Sequence, residues 1–148
     1  MAQVRAERRF DDLVDAFAAG PGKFSPLALP AVDAAFNSVE YFVHTEDVRR
    51  AQPDWPLREL GGDYQQWAWR AVTRLAPLRL RSAGVSVVVE SLADSQTQRI
   101  GKGGAIVTLL GLPTELLLLL FGRGAAARVR HLGDPDAVER VRGLKLSA

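Results

Sequence analysis

Apolar positions recur at helical spacing through the first half of the chain, then give way to alternating, β-branched runs. In "VRAERRFDDLVDAFAAG", Phe10, Leu13, Val14 and Phe17 share one helical face and Gly20 ends the run. "PGKFSPLALP" reads as a proline-punctuated connection. "AVDAAFNSVEYFVHTEDVRRA" predicts a long helix over 31–51, opening just after Pro30. Its stripe is Val32, Phe36, Val39 and Val43, and Arg49 and Arg50 sit near its C-terminus, where positive charge suits the helix dipole. After a loop, "QPDWPLRELGG", comes a third helix, "DYQQWAWRAVTRLAPLRLRSA". Tyr64, Trp67, Ala71, Leu75 and Leu78 are expected on its buried face, and Arg70, Arg74 and Arg81 toward solvent. Pro77 should kink it or end its regular part.

Past residue 83 the pattern changes. "VSVVVESL" is strand-like, "ADS" turns, and "QTQRI" continues as a second strand. "GKGG" reads as a hairpin connection into a third strand, "AIVTLL". A helix follows, with Pro113 in its first turn and Gly122 beyond its end. "ARVRHL" predicts a fourth strand, and "GDPDAVERVRG" a short final helix with Asp134 as N-cap and Pro135 at its first position. The expected class is α+β, with three helices in a domain over 1–83 and a small β-β-β-α-β-α domain over 84–148.

Composition narrows the function classes. Hydrophobic residues make up 47% and charged residues 24%, as in soluble globular proteins. The net charge is only +2, with basic and acidic residues interleaved, so no nucleic-acid partner is expected. There is no cysteine, which removes disulfides, thiolate zinc sites and a cysteine nucleophile and fits a cytoplasmic protein. The charged N-terminus shows no apolar signal core. "IVTLLGLPTELLLLLFG" is interrupted by Pro113 and Glu115, and its unbroken part falls short of the roughly 20 residues a membrane helix needs. A buried helix is expected there, and no membrane partner. "GKGG" lacks the spacing of a phosphate loop, and Ser86, Ser91 and Ser95 lack the glycine-flanked elbow of a hydrolase nucleophile.

The candidate chemistry lies in "EYFVHTEDVRRAQPDW". Glu40, His44 and Asp47 are spaced i, i+4, i+7 and so share a helical face. A carboxylate and an imidazole one turn apart can both reach a divalent ion, and the mixture suits Zn, Fe, Ni or Mn. The same spacing also fits an exposed Glu–His hydrogen bond. Asp47 has the spacing of a third ligand. His131 is a remote ligand candidate beside a glycine turn, expected to be exposed. Asp11, Asp12 and Asp15 are further acids on what reads as a solvated helix face.

"LPAVDAAFNSVEYFVHTEDVRRAQPDW", with "GLPTELLLLLFGR" and "GDPDAVERVR", resembles an actinobacterial family of metal-binding proteins. That family is related to mycothiol-dependent maleylpyruvate isomerase and to the wider DinB-like group. The resemblance implies a partial DinB-like helical bundle followed by a sterol-carrier-like α+β domain. It also implies a divalent metal, zinc foremost, on Glu40 and His44, and mycothiol or another small thiol as partner in an isomerisation or transfer. In the family pattern Asp47 would be a structural acid, paired with an arginine such as Arg50, and Arg123 and Arg128 would be substrate or thiol contacts, or else charges that suit a helix C-terminus. The early histidine ligand of the DinB-like group has no match, since no histidine precedes His44. The expected chain is therefore a shortened member whose open helical face favours a homodimer. The other expectation is a non-catalytic binding or association protein, in which the α+β domain carries a hydrophobic ligand.

Overall fold

The computed structural model describes residues 30–146, with side chains from residue 37 onward. The expected first helix, its acids Asp11, Asp12 and Asp15, and the proline-rich connection before Pro30 lie outside the described residues. So do the side chains of Val32 and Phe36. The order of elements is α1 (Pro30–Arg50), α2 (Gly62–Leu80), β1 (Ser86–Ser91), β2 (Thr97–Ile100), β3 (Ile106–Gly111), α3 (Pro113–Leu120), β4 (Arg130–Gly133) and α4 (Pro135–Arg142). The class is mixed α+β.

The boundary between compact units falls after Phe42, not near residue 83. The described part of the first unit is the opening of α1; the second begins at Val43 and holds everything after it. α2 packs on α3, β1 and β2 and lies in the same compact unit as they do. A helix that shares its core with a sheet belongs to the sheet's unit.

The four strands run in the order β2-β1-β3-β4. β1 pairs antiparallel with β2 and parallel with β3, and β3 pairs antiparallel with β4. "GKGG" is therefore not a hairpin: it carries the chain from β2 across the start of β1 to the far side. The glycines make that passage sterically feasible. A Cβ on Gly103 would lie 2.8 Å from the Val85 Cα, and Gly101 takes φ +80°. The Ser86 hydroxyl donates to the Gly103 carbonyl at 2.9 Å and ties the crossing to β1.

Alternation sorts the sheet's faces. Val87, Val89, Ile100, Val107 and Leu109 are buried on one face. On the other, Ile106 and Leu132 are 46% and 40% exposed. Every residue of α3 is buried, as an all-round apolar helix requires. Its end is a Schellman turn: Gly122, at φ +80°, donates to the Leu119 carbonyl at 2.9 Å, and the Arg123 amide to that of Leu118 at 3.0 Å.

The buried face of α2 differs from the expected one. Gln65, Ala68, Trp69, Val72, Ala76 and Leu80 are buried, whereas Tyr64 and Leu78 are exposed. Small Ala68 and Ala76 let α2 approach the leucines of α3 closely, an option the bulkier face lacks. Buried Gln65 also has work there: its Oε1 accepts from the Thr114 backbone amide and hydroxyl, both at 3.3 Å. That supplies the start of α3 with a cap that Leu112 cannot offer. Pro77 does not end α2, which continues to Leu80. Proline has no N–H for the carbonyl four residues back. That carbonyl, on Thr73, instead accepts from Gln98 Nε2 of β2 at 3.0 Å.

Candidate functional site

Of the proposed metal face, His44 and Asp47 approach to 3.8 Å, but the His44 side chain is 72% exposed. Asp47 is held by Arg123, whose Nη2 donates to Oδ2 at 2.8 Å and whose Nε donates to Oδ1 at 3.1 Å. The Arg123 hydrogen bond, against burial and helped by the Arg123 and His44 charges, keeps the Asp47 carboxyl below its ordinary range. The structural-acid reading fits this geometry, with Arg123 as partner in place of Arg50. Glu40, half-buried, lies one turn before His44 on α1. Among the described residues no three His, Cys, Asp or Glu side chains are grouped so as to hold a metal ion. Two helix ligands alone leave most of a coordination sphere to water, so the described donor set does not fit a bound divalent ion.

Arg50 is engaged elsewhere. It lies in a buried ion cluster that joins the last turn of α1 to α3. Its Nε donates to Glu46 at 2.9 Å, and its Nη1 and Nη2 fork onto Glu115 at 2.9 and 2.5 Å. Nη1 also donates to the Ala126 carbonyl at 2.6 Å. Glu46 further accepts from Arg49 at 2.6 and 3.1 Å, and Glu115 from the Arg128 backbone amide at 2.8 Å. The side chains of Glu46, Arg50 and Glu115 are 2%, 6% and 5% exposed. Burial pushes the Glu46 carboxyl up, but the Arg49 and Arg50 hydrogen bonds and charges outweigh it, so it stays below its ordinary value. Burial likewise lowers Arg50, and Glu115 and Glu46 more than reverse it. Both groups stay charged at neutral pH, which suits a permanent clamp and not acid–base catalysis.

Trp55 covers this cluster. The guanidinium carbons of Arg50, Arg128 and Arg49 lie 4.5, 4.8 and 5.4 Å from its ring centroid. Asp54, at φ +56°, turns the chain just ahead of it. A cleft of about 500 Å³ opens beside Trp55; its cations Arg49 and Arg58 both pair with Glu46, at 2.6 and 3.4 Å, and Asp54 and Glu59 also line it.

A larger cleft, of about 1070 Å³, opens where α2 ends, between the turn after α3, β3, β4 and α4. Leu80, Leu109, Phe121 and Val141 line it and are buried. Arg142 and Lys145, also lining it, are exposed. His131 lines it too and is half-buried, not exposed as expected, because its register partner Leu109 points to the sheet's buried face. Burial first, then the Arg142 charge, holds His131 below its ordinary range, against a hydrogen bond to the Val129 backbone and the Glu139 charge. Arg123 lines the cleft as well as binding Asp47.

Arg123 and Arg128, read as substrate contacts, thus part company. Arg123 borders the larger cleft, and Arg128 lies over Trp55. Sequence reasoning missed Glu46, Glu115 and Trp55 as one unit. The available signal was Glu115 itself, since a carboxylate buried among the leucines of α3 must find a buried cation. Nothing local says which of the chain's arginines supplies it, 65 positions away. No family model, curated protein or solved structure matches the chain.

Proposed function

We propose that the chain is a non-catalytic binding module that holds a small molecule with an apolar body in the 1070 Å³ cleft. The observation that carries this reading is a largely apolar lining, in which Val129 and Leu144 are partly exposed over a buried aliphatic and aromatic layer, with a rim of few polar groups and a volume just above the roughly 300–1,000 Å³ usual for ligand sites. A metal-dependent, mycothiol-linked isomerisation on a DinB-like bundle rests on the resemblance alone, as does a sterol-carrier-like description of the α+β part. It needs a third donor that the described residues do not bring to His44.

The test is a titration with N-phenyl-1-naphthylamine, a neutral apolar fluorophore, on the parent chain and on Ala125→Trp. Ala125 lines the cleft from an exposed turn, so an indole there fills space without disturbing the core. Saturable binding in the parent and its loss in the variant support the reading. No saturable binding, or equal binding in both, overturns it.

A further inference from the structure

The two clefts differ in how their charges are matched. Among the described residues, the lining of the larger one includes Arg123, Arg142 and Lys145 but no aspartate or glutamate. Two carboxylates touch these cations from positions that do not line the cleft. Asp47 binds Arg123, and Glu139 accepts from Arg142 Nη1 at 3.2 Å. The Arg142–Glu139 pair is exposed on both sides, so it exchanges readily with solvent or ligand. Lys145 adds a further positive charge at the same rim. His131, on β4, lines the same cleft as Arg142 and Lys145. Below that rim, Val129 and Leu144 present partly exposed hydrocarbon, backed by the buried Leu80, Leu109, Phe121 and Val141.

We infer that the cleft selects single-chain anionic amphiphiles, with the hydrocarbon tail against Val129 and Leu144, the partly exposed apolar side chains of its lining, and a carboxylate-like head group between Arg142 and Lys145. This rests on the reading of the cleft as a ligand site and adds the class of ligand. Burial of the tail supplies most of the affinity, in proportion to apolar area removed from water. The head group adds less, because it pairs with cations at an exposed rim. Its contribution is to choose sign: a cationic head group meets like charges there, and a neutral one gains nothing from them.

The experiment displaces N-phenyl-1-naphthylamine from the cleft with three ligands of equal tail length: decanoate, decanol and decylammonium. Decanoate is expected to compete roughly fivefold better than decanol, the scale of an exposed ion pair, with decylammonium weakest. The double variant Arg142→Gln, Lys145→Gln should bring decanoate down to decanol and leave decanol unchanged. Equal competition by all three head groups, or a decanoate preference that survives the double variant, overturns the charge selection while the cleft reading stands. Failure of all three to displace the probe overturns both.

Discussion

The molecule has two arginine-rich regions, and they do opposite things with their charge. Around Glu46, Arg50 and Glu115, every carboxylate is matched by a guanidinium fork inside the protein, and the groups are almost wholly buried. Around the larger cleft, Arg142 and Lys145 stand exposed at the rim, with no acid among the described lining residues, and Arg142 pairs with Glu139 only on the exposed surface. The first arrangement fixes the end of α1 to α3 and to the loop that carries Ala126 and Arg128. The second leaves positive charge facing a cavity. The number of arginines is therefore a poor guide to a site; what matters is whether the partner of each is buried with it, as for Arg50, or paired with it at the solvent surface, as for Arg142.

The largest expected effect separates the two regions by stability. Glu115→Ala removes the partner of a buried guanidinium and should cost about 3–5 kcal/mol in urea unfolding. Replacing both ends, with Glu115→Leu and Arg50→Met together, should recover most of that loss, because the charge left uncompensated disappears with it. If Glu115→Ala were as stable as the parent, the cluster would not be the clamp described.

Acid should act next. Glu46 and Asp47 have folded pKa values below their ordinary 4.5 and 3.8, so their stabilisation is present above those values and lost as pH falls through the folded ones. His131 is also depressed, from 6.5, so it too favours the fold while neutral and opposes it once forced to charge. Stability followed from neutral pH downward should begin to fall below 6.5 in the parent and stay level there in His131→Gln, until the carboxylates protonate. Identical profiles for the two chains would remove His131 from the buried wall of the cleft.

The smallest effects belong to the exposed pairs. Asp47→Asn should cost only about 0.5–1 kcal/mol, since the Asp47–Arg123 pair is partly solvated. Arg142→Gln should change stability by less than about 0.5 kcal/mol, as expected for a surface position. Thermal or urea unfolding of both variants checks the ranking; a large loss in Arg142→Gln would make it a structural residue and not a rim cation.

Local pattern made the elements legible. The helix expected over 31–51 runs Pro30–Arg50, and the turn chemistry of Asp134 and Pro135 marks the last helix, where Asp134 Oδ1 accepts from the Asp136 and Ala137 amides at 3.0 and 3.2 Å. Choices between competing partners were not legible. α2 carries two apolar faces, and the one that packs is decided by the all-leucine surface of α3, which lies far along the chain. "GKGG" has hairpin composition, yet β1 takes the place between β2 and β3, so the same glycines serve a crossing. The candidate site shows the same limit. The spacing of Glu40, His44 and Asp47 is visible in the sequence, but the capture of Asp47 by Arg123 is not. The cleft is assembled from residues between Leu80 and Leu146 and has no local signature at all.

Amide chemical-shift mapping of decanoate on the isotopically labelled chain distinguishes the two arginine-rich regions in a single titration. The shifts should centre on Leu109, His131, Arg142 and Lys145 around the larger cleft and leave Arg49, Trp55 and Glu115 nearly unmoved. Shifts centred on Trp55 and Arg58, or on the open sheet face at Ile106 and Leu132, or no shifts at saturating ligand, would contradict the assignment of the cleft as the binding site.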